Sequence, residues 1–198
     1  AKIWKNKLPD RPLEELVREL YEAENRGRAE PSGSQDMIGL IYPGVNRLDY
    51  NINHEGGVFP EHIEGLDSAK HSHWLERVLH LLPVEPRPDG YSPLGIKNLV
   101  PKWIGRLGES GKSCFDAIKK MDVEALGASF NETMLCWEKI LPHVVAHPLI
   151  KLDLVKILRI YQKQFPGAMF SGCGGGYLIV ASENRVPGAF QVTVRLAK

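Results

Sequence analysis

Apolar side chains recur every three or four residues near the start of the chain, at Leu13, Leu16, Val17, Leu20 and Tyr21. This spacing predicts a helix. Pro12 suits the first turn of a helix and Gly27 suits its end, so we expect the helix to cover residues 12–26.

The same periodicity returns in the second half of the chain and predicts three consecutive helices. They should cover residues 101–120, 122–140 and 148–164. Asp122 is a natural N-cap for the middle helix. The apolar face of the last helix should be buried, at Leu149, Leu152, Val155, Leu158 and Tyr161.

Shorter apolar runs predict strands between these helices. One run extends from Val45 to Ile52 behind a Pro43–Gly44 turn, and a second, shorter strand should surround Val58 and Phe59. A third strand is expected over Val78–Val84. The polar and small residues at 65–73 are typical of a junction.

Strand patterns dominate the tail of the chain. Tyr177–Val180 is a short apolar run, and apolar residues then alternate strictly, at Phe190, Val192, Val194 and Leu196. Strict alternation is typical of a half-buried strand. Because helices and strands follow one another without regular alternation, the sequence favours an α+β fold over a parallel α/β sheet.

Composition narrows the classes of function. At 198 residues, the chain can bury one core, or one core and part of a second. A formal net charge of +1 gives no broad attraction to nucleic acid or to an acidic membrane, so we expect neither as a partner. No apolar run approaches the roughly 20 residues that span a bilayer. Three cysteines without a Cys-x-x-Cys pair argue against a disulfide framework and favour a reducing, cytoplasmic setting.

A glycine-rich run, Ser171–Gly176, is the first candidate for chemistry. Its glycines permit positive φ angles and close backbone approach, and successive N–H groups in such a loop can bind an anion. The same residues also suit a tight turn between two strands. The run alone does not separate these two interpretations.

The loop Pro31–Asp36 is the second candidate. Ser, Gly and Asp are common turn formers, so the segment could be an ordinary loop in which Asp36 caps the next element. Glu24, however, lies on the predicted helix that leads into this loop. Two neighbouring carboxylates suit magnesium-assisted phosphoryl transfer, because Mg²⁺ prefers oxygen ligands and takes one or two of them from the protein.

Two longer segments resemble the GHMP kinases, the superfamily of galactokinase, homoserine kinase, mevalonate kinase and phosphomevalonate kinase. Ser34–Gly44 is similar to the Asp-containing loop of the heptose and fucose kinase branch, and Gly167–Gly176 is similar to the superfamily's glycine-rich third motif. Between them, Leu126–Gly127, Asn131–Glu132 and Trp137 resemble the helical stretch found there.

The resemblance implies a fold and a set of roles. Residues 1–66 would be part of the N-terminal domain and residues 67–198 a ferredoxin-like C-terminal domain with several helices. Asp36 would be the catalytic residue and Glu24 a ligand of Mg²⁺. The acceptor sugar would be bound by Ser34, Gln35 and Arg87, and the phosphates would be covered by Gly172, Gly174, Gly175 and Gly176. ATP and a sugar or sugar phosphate would be the partners, and a homodimer is left open.

One family motif has no counterpart in the sequence. GHMP kinases hold the ATP phosphates with a Pro-x-x-x-Gly-x-Gly-Ser-Ser-Ala loop, and nothing in the 198 residues matches it. We therefore expect the C-terminal part of a kinase, inactive by itself. A non-catalytic module that binds a metabolite is the alternative from another class, and a mevalonate-type kinase is the alternative within the family.

Overall fold

The computed structural model describes residues 8–28, 31–91, 95–172 and 176–194. Two compact units make up the chain, and the division lies between Asp67 and Ser68. Each unit has its own sheet and its own apolar core.

The first unit packs two helices on a two-stranded antiparallel sheet. Its elements are α1 (Leu13–Asn25), α2 (Gln35–Ile41), β1 (Val45–Tyr50) and β2 (Pro60–Leu66). The core comes from one face of each helix, at Leu16, Val17, Met37, Ile38 and Ile41. Gly44 turns the chain into β1 with φ +66°, and a Cβ there would lie 2.4 Å from the carbonyl oxygen of Leu66. Only glycine fits that turn without displacing the partner strand.

The predicted helix at 12–26 and the strand that begins at Val45 are confirmed. The predicted strand around Val58 and Phe59 is wrong, because the second strand is Pro60–Leu66. The junction predicted at 65–73 contains the division between the two units, but only Asp67 and Ser68 of it lie outside regular structure. Leu66 still belongs to β2, and a helix begins at Ala69.

The second unit is a four-stranded antiparallel sheet with helices. Its elements are α3 (Ala69–Val78), β3 (Leu79–Pro83), α4 (Pro101–Lys120), α5 (Val123–Ile140), α6 (Leu154–Gln164), β4 (Gly167–Phe170), β5 (Tyr177–Ala181) and β6 (Phe190–Gln191). The strand order is β4-β5-β3-β6. Ile179 is the central register position, since it pairs with Leu81 on one side and Met169 on the other. The α+β prediction is confirmed.

The core of this unit lies between the sheet and the helices α5 and α6. Its fully buried members include Met134, Leu158, Phe170, Leu178 and Val180. Predicted helices at 101–120 and 122–140 are confirmed. The carboxylate of Asp122 accepts a hydrogen bond from the backbone N–H of Ala125 at 3.0 Å, as expected of an N-cap.

Two predicted elements of this unit are shorter than the sequence suggested. The helix predicted from residue 148 begins at Leu154, where Asp153 caps it, and Leu149 and Leu152 are about half exposed rather than buried. The last strand ends at Gln191. Beyond it, the N–H of Val194 donates to the side chain of Glu76 instead of a neighbouring strand. Leu196 lies outside the described residues.

None of the described helices is long and apolar enough to cross a bilayer.

Candidate active site

The loop before α2 is fastened to the end of α1. Asn25, the last residue of α1, accepts hydrogen bonds on Oδ1 from the N–H (2.7 Å) and the hydroxyl (3.1 Å) of Ser32. Its Nδ2 donates to the carbonyl oxygen of Ser32 at 3.3 Å. One side chain therefore satisfies three polar groups of the loop and fixes where the loop starts.

Ser34 fixes the other end of the loop. This side chain is fully buried, and its hydroxyl donates to the carbonyl oxygen of Val58 at 2.6 Å. A carbonyl oxygen only accepts, so the hydroxyl of Tyr50, 2.9 Å away, donates to Ser34 Oγ. The hydroxyl of Ser34 thus supports the loop from inside.

Asp36 stands in the first turn of α2 with its side chain exposed. Partial burial raises the pKa of Tyr50 above its ordinary value of 10, the hydrogen bond with Ser34 lowers it in part, and the negative charge of Asp36 raises it. The carboxylate of Asp36 therefore acts electrostatically on the hydroxyl that donates to Ser34.

A pocket of about 350 Å³ opens beside this loop. Its walls are formed by the loop, α1 and the turn after β1, with Tyr21, Ser32, Gln35, Tyr50 and Val58 among the lining residues. Gln35 folds back over Gly33, because a Cβ on Gly33 would lie 2.0 Å from Gln35 Oε1. The amide of Gln35 therefore lies over the loop backbone and lines the pocket.

Glu24 precedes Asn25 on α1 and is exposed. Its carboxylate forms an ion pair with Arg28 one turn later. Carboxylate oxygen is the donor type that Mg²⁺ prefers, and Glu24 would have to exchange Arg28 for the metal. Among the described residues no group of three or more His, Cys, Asp or Glu side chains could hold a metal ion.

The glycine-rich run lies in the second unit, in the connection between β4 and β5. Gly172 and Gly176 have φ angles of +80° and +81°, the left-handed region that glycine adopts readily. The N–H of Ser171 donates to the carbonyl oxygen of Tyr177 at 2.9 Å, and the N–H of Val84 donates to that of Gly176 at 2.8 Å. The two described ends of the run are thus bonded to the strands, and the Gly176 end is held from the end of β3. Cys173, Gly174 and Gly175 lie outside the described residues.

Arg87 lies next to this turn. Its Nη2 would be 3.8 Å from a Cβ on Gly172, and its guanidinium is 5.6 Å from the ring centroid of Tyr91. The ring of Tyr91 packs in turn on His147, with centroids 4.5 Å apart. A cationic side chain therefore stands beside the glycine turn.

The structure thus places the predicted residues in two groups. Ser34 and Gln35 line one pocket in the first unit, Asp36 follows them in the first turn of α2, and Glu24 is next to the residue that fastens the loop. Arg87 and Gly172 are neighbours in the second unit. Asn25 and Tyr50 were missed from the sequence, because an Asn at a helix end and a Tyr in a strand are common without any role in a site.

Comparisons with known proteins identify the fold. No family model and no curated protein matches this sequence. Among solved structures, a D-glycero-D-manno-heptose 1-phosphate kinase from Bacteriodes thetaiotaomicron matches with a TM-score of 0.60 and 14% identity, over 94% of this chain and 53% of that chain. The chain has the GHMP kinase fold.

Two further structures with this fold agree. The mevalonate kinase of Methanococcus jannaschii matches with a TM-score of 0.54 and 14% identity, over 91% of this chain and 51% of that one. A Campylobacter jejuni protein assigned as a sugar kinase matches with a TM-score of 0.55 and 15% identity, over 98% of this chain and 58% of that one. The chain therefore spans about half of the length of these GHMP kinase structures.

Proposed function

We propose that this chain is the acceptor-binding part of an ATP-dependent kinase that phosphorylates a hydroxyl of a sugar or sugar phosphate. The observation that carries the proposal is the loop of Asp36. The exposed carboxylate of Asp36 stands in the first turn of α2, directly after a loop that is fastened at Asn25 and Ser34 and that lines a pocket of about 350 Å³. The GHMP kinase fold supports phosphoryl transfer as the reaction class.

In this proposal, Asp36 accepts the proton of the attacking hydroxyl, or orients that hydroxyl by accepting its hydrogen bond. Gln35 contributes amide donors and an acceptor to the sugar hydroxyls. Ser34 is a positioning residue, because its hydroxyl is bonded to Val58 and Tyr50. Holding the nucleophile in line accounts for much of the rate in such transfers, so a fixed loop is what the chemistry needs.

The glycine turn and Arg87 would meet the phosphates. Backbone N–H groups at Gly172, Gly174 and Gly175 would donate to phosphate oxygens, and the guanidinium of Arg87 would pair with an anionic group of the acceptor. The N–H of Gly176 donates to the carbonyl oxygen of Glu85 and would have to exchange that bond for a phosphate oxygen. Glu24 is the side chain that would hold Mg²⁺, whose charge offsets that of the transferred phosphoryl group.

The assignment of regions is part of the same proposal. Residues 1–66 would belong to the N-terminal catalytic domain and residues 67–198 to the C-terminal domain. The ATP phosphates would be bound by a Gly-x-Gly-Ser-Ser loop encoded upstream. We place the protein in the cytoplasm, because the described cysteines, Cys114 and Cys136, are both free thiols.

The test uses the full natural reading frame that contains these residues. ADP release is measured with ATP and Mg²⁺ against a panel of fucose, galactose, heptose phosphates and mevalonate. Asp36→Asn should lower kcat by about 10² to 10⁴, the usual contribution of a positioned base, with little change in KM. Asp116→Asn on the exposed face of α4 is the matched control and should leave kcat unchanged. Full turnover in Asp36→Asn would refute the role of Asp36.

A metabolite-binding module without turnover is the second candidate. It is favoured by one observation, the lack of any match to the ATP phosphate motif in these 198 residues. This alternative predicts that the full reading frame binds a sugar phosphate in calorimetry but releases no ADP. Turnover with any acceptor of the panel would exclude it.

A further inference from the structure

The unit Ser68–Val194 has a pocket of its own, which has no part in the proposed transfer reaction. It measures about 380 Å³ and is lined by Arg77, His80, Glu183, Arg185, Ala189 and Gln191. Pockets of this size hold small metabolites. We propose that this pocket, named here the arginine pocket, binds a small dianion with the chemistry of a phosphate or phosphomonoester group.

The arginine pocket lies at the opposite end of β3 from the glycine turn. His80 is the second residue of β3, whereas Val84, which bonds to Gly176, follows the last one. Four residues of extended chain separate the two positions by about 13 Å. A ligand in the arginine pocket would therefore be distinct from one at the glycine turn.

The backbone around the pocket is held by specific bonds. His80 is buried, with 4% of its surface exposed, and its Nε2–H donates to the carbonyl oxygen of Ser182 at 3.1 Å. The hydroxyl of Ser182 donates to the carbonyl oxygen of Asn184 and accepts from its N–H. This local turn sets the position of Arg185. The pocket thus has a buried polar wall and a fixed rim.

The opposite rim is equally fixed. Arg77 occupies the last turn of α3, and its carbonyl oxygen accepts from Nε2 of Gln191 on the edge strand β6 at 3.1 Å. This bond satisfies one carbonyl at the helix end, where unpaired carbonyl groups would otherwise repel an anion. Helix end and edge strand are therefore joined across the rim of the pocket.

The charges of the pocket favour an anion. Arg77 and Arg185 each bring a guanidinium, and neither forms an ion pair with any residue that the structure describes. Glu183 is the single carboxylate among the lining residues, so two positive charges face one negative charge. Guanidinium groups match the oxygens of a phosphate in bidentate geometry, and Glu183 could accept from a hydroxyl of the attached group.

The experiment titrates the full 198-residue chain with inorganic phosphate in calorimetry at constant ionic strength. We expect saturable binding with a Kd of about 1 mM or tighter. Replacing both arginines, Arg77→Gln with Arg185→Gln, should raise Kd at least about tenfold, the effect of one lost charge-assisted hydrogen bond. Glu183→Gln should instead lower Kd, because it removes the opposing charge.

The matched control removes two positive charges elsewhere, with Lys156→Gln and Lys163→Gln on the exposed face of α6. It should leave Kd unchanged. Ribose 5-phosphate and acetate are titrated in parallel, and tighter binding of the sugar phosphate identifies a phosphomonoester site, whereas equal binding identifies a phosphate site. Absence of saturable phosphate binding in the millimolar range, equal binding of acetate, or the same loss in the lysine control would overturn the proposal. The readout is binding alone, so failure here leaves the proposed kinase activity untouched.

Discussion

At the scale of single residues, two side chains hold the loop that precedes Asp36. Asn25 bonds to three polar groups of Ser32, and the hydroxyl of Ser34 bonds to Val58 and Tyr50. A short loop has few contacts of its own, so such bonds decide whether the residue that follows it has one position or many.

Asn25→Ala removes all three bonds to Ser32 and should lower the free energy of unfolding by about 2 kcal/mol. Asn25→Asp is the matched control, because it keeps the acceptor of the two shorter bonds and loses only the donor of the 3.3 Å bond. Urea denaturation measures both variants. Equal losses for Ala and Asp would show that the side-chain acceptor does not hold the loop.

The charge of Asp36 should be measurable through the pKa of Tyr50. The pKa of Tyr50 is raised by burial and by the charge of Asp36, so Asp36→Asn should lower that pKa. The ultraviolet absorbance of the phenolate measures the titration, and the difference from Tyr50→Phe isolates this residue. Asp10→Asn, exposed before α1, is the control and should leave the titration of Tyr50 unchanged. An unchanged pKa in Asp36→Asn would place the two groups too far apart to interact.

The same shift has a consequence for stability. A pKa that is raised in the folded state means that the fold favours the neutral phenol. The contribution of Tyr50 to the free energy of unfolding is therefore complete below pH 10 and is lost as the pH rises through the folded pKa. When the pH is raised from about 9 to about 12, the free energy of unfolding should therefore fall less in Tyr50→Phe than in the parent protein. Chemical denaturation at a series of pH values measures the difference.

The polar loop and the glycine run stand out in the sequence, whereas the side chains that hold the loop do not. Asp36 and Gly172 stand in local patterns that have a meaning by themselves, a short polar loop and a glycine run. Asn25 and Tyr50 act through partners seven and sixteen residues away. Such contacts depend on how α1 and the two-stranded sheet pack, which periodicity alone does not specify.

At the scale of elements, a close backbone contact in the second unit joins α5 to β4. A Cβ on Gly127 would lie 2.3 Å from the carbonyl carbon of Pro166, and a Cβ on Gly167 would lie 1.9 Å from the carbonyl oxygen of Gly127. The short separation lets Asn131 donate to Pro166 and accept from the N–H of Ala168, both at 3.2 Å. Since β4 ends at Phe170, this contact also positions Ser171 and Gly172, the first residues of the glycine run.

Gly127→Ala should lower the free energy of unfolding by about 3 kcal/mol, because backbone faces backbone at this point and cannot rotate away. Gly108→Ala is the matched control. Gly108 is also helical, but it is exposed and no atom would lie within 4 Å of the added Cβ. It should stabilise the protein by about 0.5–1 kcal/mol through its higher helix propensity. Thermal and urea denaturation compare the two, and equal effects would contradict the close approach of α5 and β4.

Sequence periodicity missed helix α3 for a physical reason. Helix α3 carries polar residues on its exposed side, and its buried side is limited to Ser72, Trp74, Leu75 and Val78. So short an apolar stripe, behind His71 and His73, is indistinguishable from a polar junction in the sequence. The long helices α4 and α5 repeat their pattern over several turns, and their bounds were predicted within one residue.

At the scale of the whole molecule, the two units differ in how much they bury. The core of the first unit is one face each of α1 and α2, at Leu16, Val17, Met37, Ile38 and Ile41. The second unit has a larger core between its sheet and two helices. Local stability follows the amount of buried apolar surface, so the units should open with different free energies.

Hydrogen exchange on the full chain can measure this difference. The amides of β5, whose Leu178 and Val180 are fully buried, should be the slowest, and those of α1 and α2 should exchange faster. Leu16→Ala creates a cavity in the first core at a cost of about 2–5 kcal/mol and should speed exchange in α1 and α2. Leu178→Ala is its counterpart in the second core and should speed exchange in β3, β4 and β5. If either variant speeds exchange in both units by one common factor, the chain unfolds as a single cooperative unit and the two cores do not act separately.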